Sequence, residues 1–145
     1  MAEKVIQKIL KNKVFAVVRS DDHKKAIDIS KALIDGGFTD IEITASCKNS
    51  CCAISEIASI EGINVAAGSI ITNQQADLAV KAGAKLIVSP VLEMSLLKHC
   101  RESKIPIITG ASTANEAYNA WKLGVSVTKI FPAAAMGGPE YIKDI

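Results

Sequence analysis

The chain alternates short apolar runs with longer amphipathic segments, and this pattern repeats along its length. Each apolar run has about the length of a buried β-strand, and each amphipathic segment spaces its apolar residues as a helix does. Glycines follow most of the predicted helices and provide their stops. The predicted strands are 14–18, 40–44, 64–68, 85–90, 106–110 and 127–131, and the predicted helices are 2–11, 24–34, 51–60, 73–81, 92–102 and 114–123.

Short strands that alternate with helices predict an α/β fold with a parallel sheet built from βαβ units. A doubly wound sheet concentrates its ligand chemistry at a glycine-rich first turn, and neither G-x-G-x-x-G nor G-x-x-x-x-G-K follows any strand here. Polar residues instead lie at the C-terminal ends of different strands, where a TIM (β/α)8 barrel assembles its active site. We therefore predict the barrel. The strand-end residues are Arg19, Glu42, Thr44, Ser69, Ser89, Thr109 and Lys129.

The length accounts for only part of such a barrel. About six β/α units of roughly 22 residues occupy the chain after the first helix, and eight would need about 190 residues. We expect residues 1–145 to form a single barrel domain that lacks its last two β/α units. Because residues 139–145 read as the start of a helix, we expect the natural protein to continue beyond Ile145.

Composition and charge narrow the function classes. With 49% hydrophobic and 22% charged residues the chain can bury a real core. Its net charge is only +2, and its charged residues are scattered along the sequence, so we expect no basic face for nucleic acid. No apolar stretch approaches the length of a membrane span, and the charged start does not resemble a signal peptide. We expect a cytoplasmic protein with no nucleic-acid or membrane partner.

The four cysteines, Cys47, Cys51, Cys52 and Cys100, are expected to be free thiols. Two of them are neighbours in sequence, and no secretory signal delivers the chain to an oxidising compartment. Their spacing fits no common zinc motif, and the two histidines are distant from them in sequence. We expect no metal and no other cofactor.

Two charged strand residues are the strongest candidates for chemistry. Residues two apart in a strand share a face, so Glu42 and Thr44 point one way while Ile41 and Ile43 point the other. The isoleucines suit the layer between strands and helices, and the same reasoning turns Lys129 inward. The second and sixth strands of an eight-stranded barrel lie opposite each other. Glu42 and Lys129 should then converge across the mouth of the barrel.

An amine in these surroundings favours carbonyl chemistry. Apolar neighbours leave little water to stabilise the ammonium form of Lys129, which favours the neutral nucleophile of a Schiff-base lysine. A facing Glu42 can then serve as general acid and base. Two non-catalytic interpretations of these residues remain. Lys129 could extend its amine to solvent, or Glu42 and Lys129 could form a structural ion pair that closes the barrel.

Five segments together resemble a known family. They are V-V-R at 17–19, G-G-F-T-D-I-E-I-T at 36–44, A-G-S at 67–69, G-A-K-L-I-V-S-P at 83–90 and K-I-F-P-A at 129–133. In this order and spacing they are similar to the 2-keto-3-deoxy-6-phosphogluconate / 2-keto-4-hydroxyglutarate aldolase family. The similarity extends from the first strand to the last residue.

This resemblance implies a class I aldolase on a TIM barrel, a carbon-carbon lyase that cleaves 2-keto-3-deoxy-6-phosphogluconate to pyruvate and glyceraldehyde 3-phosphate without metal. It further implies a homotrimer and a role in Entner-Doudoroff carbohydrate metabolism. Lys129 matches the Schiff-base lysine and Glu42 the proton-transferring glutamate. Arg19 matches an arginine that borders the anionic substrate, Ser69 stands where a threonine usually contacts the pyruvate carboxylate, and Phe131 matches the aromatic residue beside the Schiff base.

The chain departs from the family pattern in places. Ala45 and Ser46 stand where some members carry an arginine for the carboxylate, and Val91 and Thr109 replace other common residues. The loops that hold the phosphate in the family follow strands seven and eight, which lie outside this sequence. Two alternatives therefore remain: an aldolase for 2-keto-4-hydroxyglutarate or a phosphogalactonate-type acid, and a catalytically inactive barrel fragment with a structural role.

Overall fold

A computed structural model describes residues 2–145, and it confirms the predicted alternation of strands and helices. The strands are β1 Ala16–Val18, β2 Asp40–Thr44, β3 Asn64–Gly68, β4 Leu86–Val88, β5 Ile107–Ala111 and β6 Thr128–Ile130. The helices are α1 Ala2–Asn12, α2 His23–Asp35, α3 Ser50–Ala58, α4 Asn73–Lys81, α5 Met94–Glu102, α6 Ala114–Lys122, α7 Ala133–Met136 and α8 Gly138–Asp144. The bounds of β2, β3 and α4 match the prediction; α7 was not predicted.

The strands form one parallel sheet in the order β1-β2-β3-β4-β5-β6, with a helix between each strand and the next. Consecutive strands about 4.8 Å apart would separate β2 from β6 by about 19 Å in a flat sheet. Side chains from these two strands nevertheless approach within 4 Å of each other. The sheet is therefore strongly curled, as the wall of a half-barrel is.

The two faces of the sheet bury different cores. Ile41, Ile43 and Ile87 point outward into the main core, where they pack against α2–α5. Ala66, Leu86, Val88 and Ile108 alternate with those positions and form a smaller core on the concave face. Every described position of β2 is buried, so this strand lies at the centre of both layers.

Helix α1 covers the concave core at the N-terminal ends of the strands. Val5 and Ile6 are buried against that core, and Ile9 packs beside them. Lys8 Nζ donates to the carbonyl of Gly62, just before β3, and Asn12 Nδ2 donates to the buried Asp40 carboxylate at the start of β2. With that end covered, the concave face is accessible from the C-terminal ends of the strands.

The structure also bears on the expectations about membrane helices and cysteines. None of the helices in residues 2–145 is long and apolar enough to cross a membrane. All four cysteines are free thiols in the structure, with Cys47 and Cys100 buried. Burial raises the pKa of the Cys100 thiol to about 11, which keeps it protonated and unreactive at neutral pH.

Candidate active site

Glu42 is a buried carboxylate at the centre of the concave face. Its neighbours Ile41 and Ile43 anchor β2 in the outer core, so the strand alternation turns Glu42 inward, as predicted. Only 2% of its surface is exposed. Its Oε1 atom accepts no hydrogen bond from any group in the described part of the chain. A buried polar atom in this condition is costly, so its presence calls for an explanation, and a functional role is one.

Lys129 reaches the same point from the opposite wall. It lies in β6, where it pairs in register with Gly110 of β5. Its Nζ atom is 3.8 Å from Glu42 Oε1, and 26% of its side chain is exposed. At 3.8 Å the two groups interact as charges but are too far apart for a hydrogen bond. The predicted convergence of the two residues is confirmed, and the amine remains open to a molecule that enters the mouth.

Burial dominates the electrostatics of the carboxyl. It raises the pKa of Glu42 above the ordinary value of 4.5, because the ionised form loses its hydration. The positive charges of Lys129 and Arg19 oppose this shift but do not cancel it. Phe131 follows Lys129 on the chain, and its ring centroid lies 5.2 Å from Nζ, within cation–π range. The site thus combines a carboxyl that holds its proton at higher pH than usual with an amine beside an aromatic face.

Three further predicted residues lie around this pair at the C-terminal ends of the strands. Arg19 directly follows β1 and is exposed, close enough to influence Glu42. Thr44 ends β2 on the face of Glu42, and its hydroxyl shares a hydrogen bond of 2.7 Å with the Ser46 hydroxyl. Ser69 directly follows β3, is exposed, and has a left-handed backbone with φ of 61°. An L-residue in that conformation is strained, which is a common feature of functional loops.

Ser89 and Thr109 have different surroundings. Ser89 is buried just after β4, and its Oγ accepts a hydrogen bond from the amide of Val91 within its own loop. Thr109 follows the inward-facing Ile108 and therefore points to the helix side, where it is also buried. The expectation that Thr109 lines the mouth is therefore wrong. The expectation used only the position of Thr109 near the end of its strand and did not consider which face of the sheet its side chain occupies.

Two glycines on the concave face were not identified from the sequence. A Cβ atom on Gly68 would overlap the carboxyl of Glu42, and a Cβ on Gly110 would overlap the carbonyl of Pro90. A glycine inside a strand often marks such a close approach. That signal was present in the sequence, but it could not show which group approaches.

A cavity of about 470 Å³ adjoins the site at the ends of β4, β5 and β6. Its volume is in the range of small-molecule sites. Phe131 connects this cavity to the Lys129 amine. The lining residues are Pro90, Val91, Leu92, Gly110, Ala111, Ser112, Glu116, Asn119, Phe131 and Pro132. Within residues 2–145 no cluster of three or more His, Cys, Asp or Glu side chains is arranged to hold a metal ion.

Residues 5–145 match the family model described as KDPG and KHG aldolase. The chain belongs to this family. It is 35% identical over 127 residues to the 2-dehydro-3-deoxy-phosphogluconate aldolase of Treponema pallidum, with 87% of this chain and 60% of the relative covered. It is 36% identical over 134 residues to the KHG/KDPG aldolase of Escherichia coli K12, with coverages of 89% and 60%. The chain therefore spans about 60% of the length of these curated relatives.

Solved structures show the same likeness. The 2-keto-3-deoxy-6-phosphogluconate aldolase of Zymomonas mobilis ZM4, crystallised with 3-phosphoglycerate, superposes with a TM-score of 0.82 at 30% identity, over 90% of this chain and 62% of that one. The KDPG aldolase of Legionella pneumophila gives 0.77 at 30% identity, over 90% and 63%. In that structure pyruvate was captured as a covalent carbinolamine intermediate.

Replacement of Glu42 by glutamine should stabilise the protein as the pH rises. The raised pKa means that the folded state favours the protonated carboxyl, whose contribution is complete below pH 4.5 and is lost as the pH rises through the raised value. Glutamine is a neutral isostere of the protonated form. We expect Glu42→Gln to match the wild type near pH 4.5 and to exceed its free energy of unfolding by a growing margin as the pH rises toward 8.

Urea unfolding of both proteins between pH 4.5 and 8 measures this difference. Glu61→Gln is the control, because Glu61 is exposed and its replacement removes a carboxylate without a buried environment. A Glu42→Gln advantage that stays constant or shrinks with rising pH would contradict the assignment of Glu42 as a desolvated carboxyl.

Proposed function

We propose that this protein is a class I aldolase that cleaves 2-keto-3-deoxy-6-phosphogluconate to pyruvate and glyceraldehyde 3-phosphate. The observation that carries the proposal is the Lys129 amine, 3.8 Å from the buried Glu42 carboxyl at the mouth of a curled parallel sheet. The family assignment supports it, as does the covalent pyruvate adduct of the Legionella relative.

Lys129 supplies the nucleophile for the first half of the reaction. Its neutral amine attacks the 2-keto carbon, so that a C–N bond forms and the carbonyl oxygen takes up a proton. Glu42 in its acid form then protonates the carbinolamine hydroxyl, which leaves as water while the nitrogen lone pair forms the iminium bond. The raised pKa of Glu42 suits this step, because it keeps a larger fraction of the carboxyl protonated near neutral pH.

Glu42 moves protons in the second half. As a carboxylate it removes the proton of the C4 hydroxyl, the C3–C4 bond breaks, and its electrons pass to the iminium to form an enamine. Glyceraldehyde 3-phosphate leaves as the aldehyde. Glu42 then returns its proton to C3, and water hydrolyses the resulting iminium to pyruvate and the free Lys129 amine. One carboxyl thus serves alternately as acid and base.

The surrounding residues are assigned to the substrate. Arg19 directly follows β1, its positive charge acts on Glu42 together with that of Lys129, and we assign it to attract the anionic keto acid. Ser69 presents a hydroxyl at the end of β3 for the pyruvate carboxylate, and Phe131 covers the imine. Thr44 stays a prediction, since its buried hydroxyl already bonds with that of Ser46. Ser89 stays a prediction, since its hydroxyl already bonds within its own loop.

The proposal extends to the whole barrel and its assembly. Strands β1 and β6 each pair with one neighbour among residues 2–145, and two further β/α units would join these edges into an eight-stranded barrel. We assign to such units the binding of the substrate phosphate, in keeping with the phosphate site of this fold. We further propose that the protein is cytoplasmic and acts in the Entner-Doudoroff pathway.

We expect the native protein to be a homotrimer. Sedimentation equilibrium at several concentrations should give a native mass of about three times the chain mass, because the family resemblance implies a trimer and three copies can close a cyclic ring. A related cage was designed by fusing symmetric oligomeric domains, which supports the expectation. A monomer across the concentration range would contradict it.

Pyruvate should become covalently attached to Lys129 on reduction. When the protein is incubated with pyruvate and borohydride, the imine is reduced to a stable amine, and peptide mass spectrometry locates it. We expect the adduct on Lys129 and none in Lys129→Ala. Lys122→Ala, which removes an exposed lysine at the end of α6, should retain it. A folded wild type without any adduct would overturn the aldolase proposal and favour a structural role.

The preferred substrate can be determined by comparing kcat/KM for cleavage of three acids. They are 2-keto-3-deoxy-6-phosphogluconate, 2-keto-4-hydroxyglutarate and the phosphogalactonate analogue, all named among the activities of relatives. We expect kcat/KM for the first to exceed that for 2-keto-4-hydroxyglutarate by at least about tenfold, because its phosphate adds binding energy at a site remote from the reacting carbon. The phosphogalactonate analogue carries the same phosphate, so its value relative to the first measures selectivity for the configuration at C4. A higher value for either competitor would change the substrate assignment but not the Schiff-base chemistry.

A further inference from the structure

Gly68 ends β3 on the concave face of the sheet, directly beside the Glu42–Lys129 pair. It pairs in register with Thr44 on one side and with Val88 on the other. The other four residues of β3 carry side chains, and the strand is buried from Val65 onward. A glycine in such a strand weakens it, because the residue has no side chain to pack. Its presence therefore calls for a specific reason.

Gly68 is required because of the space beside it and not because of its backbone conformation. Gly68 does not adopt the positive φ that favours glycine, in contrast to Gly37, Gly62 and Gly83. A Cβ atom built on Gly68 would lie 2.5 Å from Glu42 Cδ and 2.7 Å from Glu42 Cγ, and closer still to Oε1. These separations are far below a van der Waals contact. The carboxyl of Glu42 occupies the volume that any side chain at position 68 would need.

We infer that Gly68 is the positioning residue of the site: the missing side chain lets the Glu42 carboxyl lie back against β3, within 4 Å of the Lys129 amine. The inference rests on the proposed function. Gly68 touches neither the reacting carbon nor the imine, and it acts through Glu42.

The main chain of β2 cannot shift to relieve this overlap. β2 is held by pairing on both sides, and the two isoleucines that flank Glu42 are fully buried in the outer core. A side chain at position 68 would therefore displace the carboxyl along the lumen, toward the mouth. There it would gain water and lose its distance to Lys129. Misplacement of a catalytic group by about 1 Å can cost about 10²-fold in rate.

A double-mutant cycle on the full-length protein tests this role. We expect Gly68→Ala to lower kcat for cleavage of 2-keto-3-deoxy-6-phosphogluconate by about 10²-fold and to leave KM within about twofold, since only proton transfer is affected. The same change in a Glu42→Ala background should leave the residual kcat within about twofold, because the clashing group is gone. The urea midpoint should fall for Gly68→Ala alone and recover in the double variant.

The pH profile adds a readout that a purely structural role would not move. In Gly68→Ala the displaced carboxyl is more hydrated, so the limb of kcat/KM that reports Glu42 should shift to lower pH. Gly36→Ala is the control, because it adds the same methyl group at the end of α2, where the Cβ would meet only backbone oxygens at 3.3 Å or more. Its small effect should be equal in both backgrounds.

The outcomes separate this inference from the proposed function. A wild type that forms no reducible adduct overturns the function. A wild type that forms the adduct, with kcat and pH profile unchanged in Gly68→Ala, overturns only the role of Gly68. If Gly68→Ala fails to fold and the double variant folds, the clash with Glu42 is supported. If both fail to fold, the methyl group clashes with something other than Glu42 and the inference is wrong.

Discussion

The structure depends at its centre on a buried carboxyl oxygen that accepts no hydrogen bond from residues 2–145 and is held opposite an amine. Glu42 is 2% exposed, and its Oε1 faces Lys129 across 3.8 Å without a hydrogen bond. Burial of such a group opposes folding, and the ion pair offsets only part of that cost. A protein selected for stability alone would replace this pair by apolar residues. The arrangement makes sense where the carboxyl must exchange protons with a third molecule bound between the two groups.

The rest of the fold makes that arrangement possible. Ile41 and Ile43 are buried in the outer core and fix the orientation of β2, so the side chain of Glu42 must lie on the concave face. The curl of the sheet brings β6 back toward β2, and α1 covers the N-terminal end of the concave face. Access is left at the C-terminal strand ends, where Arg19 and Ser69 are exposed. Stability and access are therefore supplied by opposite ends of the same strands, as is general for this architecture.

Sequence reasoning worked where the local pattern is strong. β2 and β3 are central strands and α4 has a capping box at Thr72, so the predicted bounds match the observed ones. β1, β4 and β6 are each three residues long and shorter than predicted, because each predicted segment extends beyond the residues that pair with a neighbouring strand. The helix Ala133–Met136 is too short to show a helical period, and it was missed for that reason.

The sequence predicted which way the side chains of Glu42 and Lys129 point, but not the distance between them. Alternation turned Glu42 and Lys129 inward from the sequence, and the opposition of the second and sixth barrel strands brought them together. Their separation depends on the curl of the whole sheet, which no local pattern encodes. The same holds for the relation between Gly68 and Glu42, since these two residues are far apart in the chain and meet only after β2 and β3 pair.

Three features near the site lower stability, and local sequence patterns do not explain their presence. The unbonded Glu42 oxygen, the left-handed backbone of Ser69 and the glycine within β3 each oppose folding to some degree. They lie together at one end of the sheet, next to a cavity, while the opposite end is covered by α1. Left-handed residues also occur elsewhere, such as Lys13 before β1 and Lys104 before β5, but at an accessible mouth a functional requirement can compete with stability. In the function proposed above, that requirement is chemistry at the Lys129 amine.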